Sequence, residues 1–204
     1  MHGYACTCIN ISETVEIIKT NIEGVVEVRP RVFADRRGYF FESFSQREFD
    51  ALVRPVRFVQ DNESMSSRGV VRGLHYQKGA DAQSKLVRCV RGRVLDVAVD
   101  IRRGSPTFGQ HVAVELTEED HNMLFVPRGF AHGFSVLTDI AVFQYKCDNY
   151  YAPQSEGGIQ AFDPQLGIDW RFAAAEAIVS DKDLVRLPLT EDTADFDYST
   201  DYYL

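Results

Sequence analysis

The chain has 204 residues and a mass of 23.1 kDa, enough for one large domain or two small ones around a buried core. Its composition, 45% hydrophobic and 25% charged, excludes disorder or collagen-like structure for the bulk of the chain, and no apolar run approaches the roughly 20 residues of a membrane helix. A net charge of -8 and a pI of about 5.1 argue against a nucleic-acid partner, which calls for a basic face, and leave room only for a local basic pocket that takes a small anion.

In chain order, residues 1–18 show no clear period and no basic-then-apolar leader, so they read as an extension and not as a signal peptide. From Gly24 the dominant period is two. Strands are predicted at Val25–Phe33, Tyr39–Phe44, Val56–Asn62, Val70–Gln77 and Lys85–Val90, all rich in Val, Phe and Tyr and bounded by turn residues. Arg93–Ile101 places Leu95, Val97, Val99 and Ile101 on one face and Asp96 and Asp100 on the other. His111–Leu116, Met123–Val126, Gly133–Leu137 and Ile140–Cys147 complete the set. Arg91-Gly92-Arg93 reads as a tight hairpin, and Arg102-Arg103 as a solvated turn. Helix is scarce: Gln46–Val53, capped by Ser45 with Glu48 three residues on, and short pieces at Ala173–Ile178 and Asp181–Leu184. About ten short strands with little helix predict one all-β domain, a barrel or double sheet. The stretch Thr190–Leu204 carries five acidic residues and no basic ones, and reads equally as an ordered flap, a partner-contacting tail or a frayed end. Cys6, Cys8, Cys89 and Cys147 form no disulfide framework, which predicts reduced thiols and a cytoplasmic protein.

The dinucleotide fingerprint, the P-loop, the zincin motif and the nucleophile elbow are all absent. Two segments stand out. Pro127-Arg128-Gly129-Phe130-Ala131-His132 and Val71-Arg72-Gly73-Leu74-His75-Tyr76-Gln77 resemble the two boxes of the cupin superfamily, which implies a jelly-roll β-barrel. The first box departs from the metal-binding pattern, because Gln77 stands where a second histidine belongs. A firm divalent site needs three or four good ligands in one shell, and His75, Gln77, Asp81 and His132 would make a poor one. No metal and no cofactor is therefore expected.

The resemblance then narrows. Asp35-Arg36-Arg37-Gly38-Tyr39-Phe40-Phe41-Glu42-Ser43, Val59-Gln60-Asp61-Asn62, Gln83-Ser84-Lys85-Leu86-Val87-Arg88-Cys89, Ser105-Pro106-Thr107-Phe108-Gly109, Tyr145-Lys146-Cys147-Asp148-Asn149-Tyr150-Tyr151 and Asp169-Trp170 follow in one order. With the two boxes they make the chain, from about Ile18 to Leu187, similar to the dTDP-4-dehydrorhamnose 3,5-epimerase family. The extension and the acidic tail stand outside that similarity.

The resemblance implies a dTDP-linked 4-keto-6-deoxyhexose as substrate and inversion at C3 and C5, where the C4 ketone acidifies the C–H bonds. Such chemistry needs a base, a donor on the opposite face and a group that holds the enolate oxygen. By position, His75 is the base, Asp183 its orienting carboxylate, Tyr145 the donor and Lys85 the cation at the C4 oxygen. Arg37, Glu42, Gln60, Asn62, Arg72, His132, Glu156 and Lys182 match substrate-touching positions; Tyr151 is expected to stack on the thymine ring, with a core or dimer aromatic as the other reading. For His132 a buried hydrogen-bonding role stands beside the binding one. Strand parity supports the inner pair: Lys85 shares a face with Val87 and Cys89, and Tyr145 with Phe143 and Cys147. Arg72 and His75 have opposite parity and can share a pocket only if the strand bulges, for which Gly73 is suited.

Family members pair as homodimers, so Arg37 and Glu42, on an early strand, are expected to complete a neighbour's site. The alternatives are a single-centre 3-epimerase or a 3,4-ketoisomerase on the same fold, a metal-dependent cupin, and a non-catalytic sugar-nucleotide binder. Gln77 argues against the third, and the set His75, Lys85, Tyr145 and Asp183 against the last.

Overall fold

The computed structural model describes residues 7–11 and 14–203. Sixteen strands and two short α-helices are assigned among them. They are β1 (Thr7–Ile11), β2 (Val15–Lys19), β3 (Val26–Pro30), β4 (Phe33–Asp35), β5 (Gly38–Phe40), α1 (Gln46–Leu52), β6 (Gln60–Ser67), β7 (Val71–Gln77), β8 (Lys85–Arg91), β9 (Arg93–Asp100), β10 (Arg102–Arg103), β11 (His111–Thr117), β12 (Met123–Val126), β13 (Phe130–Val136), β14 (Ile140–Cys147), β15 (Glu156–Gly158), α2 (Asp181–Leu184) and β16 (Phe196–Asp197). A seven-stranded sheet in the order β1-β2-β3-β12-β8-β14-β6 faces a five-stranded sheet in the order β11-β9-β13-β7-β15. From β6 onward most connections cross from one sheet to the other, giving the expected jelly-roll double sheet.

That crossing corrects the expected hairpin at Gly92. The turn is tight, with Gly92 at φ +78 and no room for a Cβ against the Ile140 carbonyl, but β8 and β9 lie in different sheets. The N-terminal extension is likewise more than an extension. β2 pairs with β3 and with β1, and its Ile17 and Ile18 are buried. The expected helix at 173–178 is a turn, whereas α1 has the expected cap, with Ser45 Oγ accepting from Glu48 N.

Three apolar clusters hold the layers together. The interior one joins Val87, Leu124 and Phe143 of one sheet to Val94, Ala98, Leu116 and Phe134 of the other. A second lies outside the five-stranded sheet. Leu95, Val97, Val99 and Ile101 there meet Trp170, Ile159, Leu189 and Phe196 from the chain after β15. The third seats α1 on the outer face of the larger sheet, with the Phe49 ring 5.2 Å from that of Phe125. β9 is therefore buried on both faces. Its alternation is real, but the acidic face is the one that looks into the barrel, since Asp96 shares it with Val94 and Ala98 and both Asp96 and Asp100 are fully buried.

Arg102 and Arg103 are not a solvated turn. The Arg102 guanidinium pairs with Asp100 at 2.7 Å and lies over the rings of Phe130 and Tyr198. Arg103 donates to the Ala194 carbonyl, and β10 pairs in parallel with β16 of the acidic tail. Burial pushes the Asp100 carboxyl up, but bonds from Arg102, Ser105 and Thr107 outweigh it and leave the group below the usual carboxylate range. Asp100→Ala, which strands a largely buried guanidinium, is expected to cost about 3–5 kcal/mol in denaturant unfolding at pH 7. Because the folded carboxyl titrates below its unfolded value, this contribution holds above the ordinary carboxylate range and fades as pH falls through the folded value. The gap between parent and variant therefore closes in acid. A gap that persists unchanged at low pH contradicts the assignment.

Candidate active site

One end of the barrel opens into a cavity of about 740 Å³ between the two sheets. β7 carries His75 and Arg72 to it, β8 carries Lys85, β14 carries Tyr145 and Cys147, and β6 carries Gln60 and Asn62. His132 enters from β13, Glu156 from β15, Tyr151 from the loop between β14 and β15, and Lys182 and Asp183 from α2.

The parity argument for Lys85 and Tyr145 holds: both look inward, with the Lys85 Nζ 5.9 Å from the Tyr145 ring centroid. The bulge that Arg72 and His75 require is also present. Along β13 His132 and Phe134 are two positions apart, but their partners on β7, His75 and Arg72, are three apart. Gly73 takes the turn at φ +128, and a Cβ there would collide with the Gly133 backbone. Both side chains reach the cavity, Arg72 with its Nε bonded to Ser66 Oγ.

His75 Nε2 lies 2.5 Å from Asp183 Oδ1, and the Asp183 side chain is nearly sealed while the imidazole is a third exposed to the cavity. Ser180 caps α2, accepting from Asp183 N, so the four-residue helix delivers this carboxylate at a fixed angle. Burial pushes the Asp183 carboxyl up. The bonds from His75, Ser180 and the Gly73 backbone more than offset this and hold it below the usual range, hence ionised at neutral pH. With the acceptor ionised, Nε2–H is the donor in this pair.

Across the cavity, burial pushes the Lys85 ammonium down, opposed by Cys147, Asp96 and Glu156. The Cys147 thiol is itself pushed up to about 11, mainly by burial, so at neutral pH it brings no charge. Burial and Cys147 also raise the Tyr145 phenol, against the pull of Arg72, so the hydroxyl is protonated at neutral pH.

Glu156 is a hub. It accepts from Tyr151 at 3.0 Å, from Lys182 at 2.5 Å and from Arg186 at 2.7 Å. Burial raises its carboxyl, but Lys182 and Tyr151 bring it below the usual range. His132 has the buried hydrogen-bonding role and a place on the cavity wall together: Nε2 lies 2.9 Å from Asp96 Oδ2, and the ring stacks over Phe143. Gln77, in place of a cupin metal ligand, braces the rim instead. Its amide donates to the carbonyls of Asp81 and Tyr150 and accepts from Ala152 N. Among the described residues no group of three or more His, Cys, Asp or Glu side chains is placed to hold a metal ion.

Two expected positions are not brought to the cavity. Arg37 sits at the exposed turn of the β4–β5 hairpin, paired with Asp35 at 2.6 Å, and Glu42 lines a separate crevice beside α1. The reason is geometric: β4 and β5 pair only with each other, so the hairpin joins neither large sheet, and its Tyr39 rests on His121. In the other direction, sequence reasoning missed Asp96 and Arg186. Alternation does not say which face of β9 is inside, so nothing local marks Asp96 as a cavity-side residue, and Arg186 lies in no motif.

The model of the dTDP-4-dehydrorhamnose 3,5-epimerase family matches residues 19–191. The chain belongs to this family. The dTDP-4-dehydrorhamnose 3,5-epimerase of Salmonella typhimurium is 54% identical over 158 residues, covering 77% of this chain and 86% of that protein. The Escherichia coli enzyme of the same description is 52% identical over 170 residues, 83% of this chain and 91% of that one. Among solved structures, dTDP-6-deoxy-D-glucose-3,5-epimerase from Legionella pneumophila, crystallised with dTDP-4-keto-L-rhamnose, aligns with a TM-score of 0.86 and 45% identity. It covers 91% of this chain and all of that one. No helix among the described residues is long and apolar enough to cross a membrane.

Proposed function

We propose that this epimerase inverts C3 and C5 of dTDP-4-keto-6-deoxy-D-glucose, giving dTDP-4-keto-L-rhamnose for dTDP-L-rhamnose synthesis. The observation that carries the reading is one cavity in which the His75–Asp183 pair, Lys85 and Tyr145 converge. His75 Nδ1 takes the proton from the carbon beside the ketone, and the Asp183 carboxylate holds the ring and stabilises its positive charge. The electron pair moves onto the C4 oxygen as an enolate, which the Lys85 ammonium meets in a site of low dielectric. Tyr145, a protonated phenol, returns a proton to the opposite face, and rotation of the sugar brings the second centre to the same groups. Arg72 and Lys182 serve the diphosphate, Tyr151 stacks on thymine, and Gln60, Asn62, His132 and Glu156 fix the sugar and the rim.

The test is incubation with dTDP-4-keto-6-deoxyglucose in deuterated water, followed by NMR. Deuterium at both C3 and C5 is the expected result. Label at one centre means a single-centre enzyme, and no label overturns the enzymatic reading.

The active form we take to be a cytoplasmic homodimer. The β4–β5 hairpin exposes Phe33, Tyr39 and Phe40, and it holds Arg37 clear of its own cavity. Such a hairpin suits exchange onto a second copy, whose site Arg37 and Glu42 would complete, over an interface of about 2,000 Å² or more. Light scattering at micromolar concentration is expected to give twice the 23.1 kDa of the chain. Arg37→Ala should raise KM about tenfold with kcat little changed, as loss of one charge-assisted contact does. A monomer, or a full-affinity Arg37→Ala enzyme, contradicts the exchange.

A further inference from the structure

The family match ends at residue 191, yet the chain beyond it packs against Ser84, the residue before Lys85. Past β16 it turns, and Tyr203 packs against the apolar cluster on the outer face of the larger sheet. The phenol oxygen accepts from Arg128 N at 3.0 Å and lies 3.1 Å from Ser84 Oγ. The Arg54 guanidinium rests 3.4 Å from the centre of its ring. Arg54 Nε is buried and has no hydrogen-bond partner among the described residues, so the ring face is where that charge is met.

Ser84 is fully buried and immediately precedes Lys85. Its backbone N–H and its hydroxyl bind the two carboxylate oxygens of Asp148, at 2.6 and 2.7 Å. Asp148 immediately follows Cys147, which is the register partner of Lys85 across β14 and β8. Arg128 closes the ring, donating from Nε to Asp148. The phenol, the serine, the carboxylate and the arginine thus tie together the two strand ends from which Lys85 and Tyr145 enter the cavity.

We propose that Tyr203 is a positioning residue for Lys85: its hydroxyl fixes Ser84 and so the point at which the ammonium meets the substrate's C4 oxygen. This rests on the reading of Lys85 as the group that holds the enolate. Tyr203 touches no part of the cavity itself, so its loss leaves binding alone and slows the chemical step. A displacement of about an ångström at a catalytic group costs up to about a hundredfold in rate.

The test is a double-mutant cycle on the full chain, with kcat, KM for the keto-sugar nucleotide and dTDP affinity measured for each member. Tyr203→Ala is expected to lower kcat by about tenfold with KM and dTDP affinity unchanged. Tyr203→Phe keeps the ring beneath Arg54, removes only the hydroxyl, and should reproduce most of that loss with a thermal midpoint within about 2 °C of the parent. Should the alanine variant fail to fold, the phenylalanine variant runs the cycle alone. In a Lys85→Met background either change is expected to cost less than about twofold, because the group it positions is gone. The same factor in both backgrounds, or a loss confined to KM, overturns the positioning role. A Lys85→Met enzyme of undiminished kcat instead overturns the reading of Lys85 on which the proposal stands.

Discussion

His75→Asn is expected to lower turnover by about 10²–10⁴-fold while dTDP affinity stays within about twofold of the parent. An asparagine side chain ends about where Nδ1 does, short of the Nε2 position that meets Asp183, so the variant loses the imidazole and its bond to that carboxylate together. What it lacks is a lone pair basic enough to take a carbon-bound proton near neutral pH. In the proposed binding mode the nucleotide is gripped by Arg72, Tyr151 and Lys182, which line the same cavity, so binding and chemistry are expected to separate at His75. Titration of the nucleotide by calorimetry and turnover by NMR supply the two halves. A variant with more than about a tenth of parental turnover would show that another group is the base.

Tyr145→Phe acts on the other end of the proton path. Phenylalanine keeps the packing of the ring against Phe143, 6.3 Å away between centroids, and removes the hydroxyl alone. His75, Asp183 and Lys85 remain, so the enolate still forms. Reprotonation is then left to the imidazolium that took the proton, on the same face, which restores the starting configuration. Inversion should fall by about 10²–10⁴-fold, the span of one general acid, while exchange of the C–H bonds with solvent continues.

Most of the barrel could be read from the sequence because its strands are short, alternating and bounded by turn residues. Met123–Val126 and Ile140–Cys147 come out as expected to the residue. The errors have physical causes. β6 reads Gln-Asp-Asn-Glu-Ser-Met-Ser-Ser, almost wholly polar, so only its start carried a strand signal; it is a strand because it closes the edge of a sheet against β14. Alternation puts Asp96 and Asp100 opposite Leu95, Val97, Val99 and Ile101, but it cannot say which face is inside when later segments of the chain bury both. The cavity's own residues were legible mainly through the family motifs. Period two put Lys85 and Tyr145 on one wall, but no local pattern joins His75 to Asp183, 108 residues later. Arg37 and Glu42 show the limit from the other side: their motif is intact, and a single chain does not bring them to the site.

The two-face account stands or falls on one ratio, that of solvent exchange to inversion at C3 and C5 in Tyr145→Phe. Both are followed in a single NMR sample of the keto-sugar nucleotide in deuterated water, beside the parent enzyme. The account predicts deuterium entering the unreacted substrate at a near-parental rate while epimer formation all but stops. Loss of exchange and inversion in equal proportion would contradict it, since Tyr145 would then be needed to form the enolate and not to deliver a proton to it.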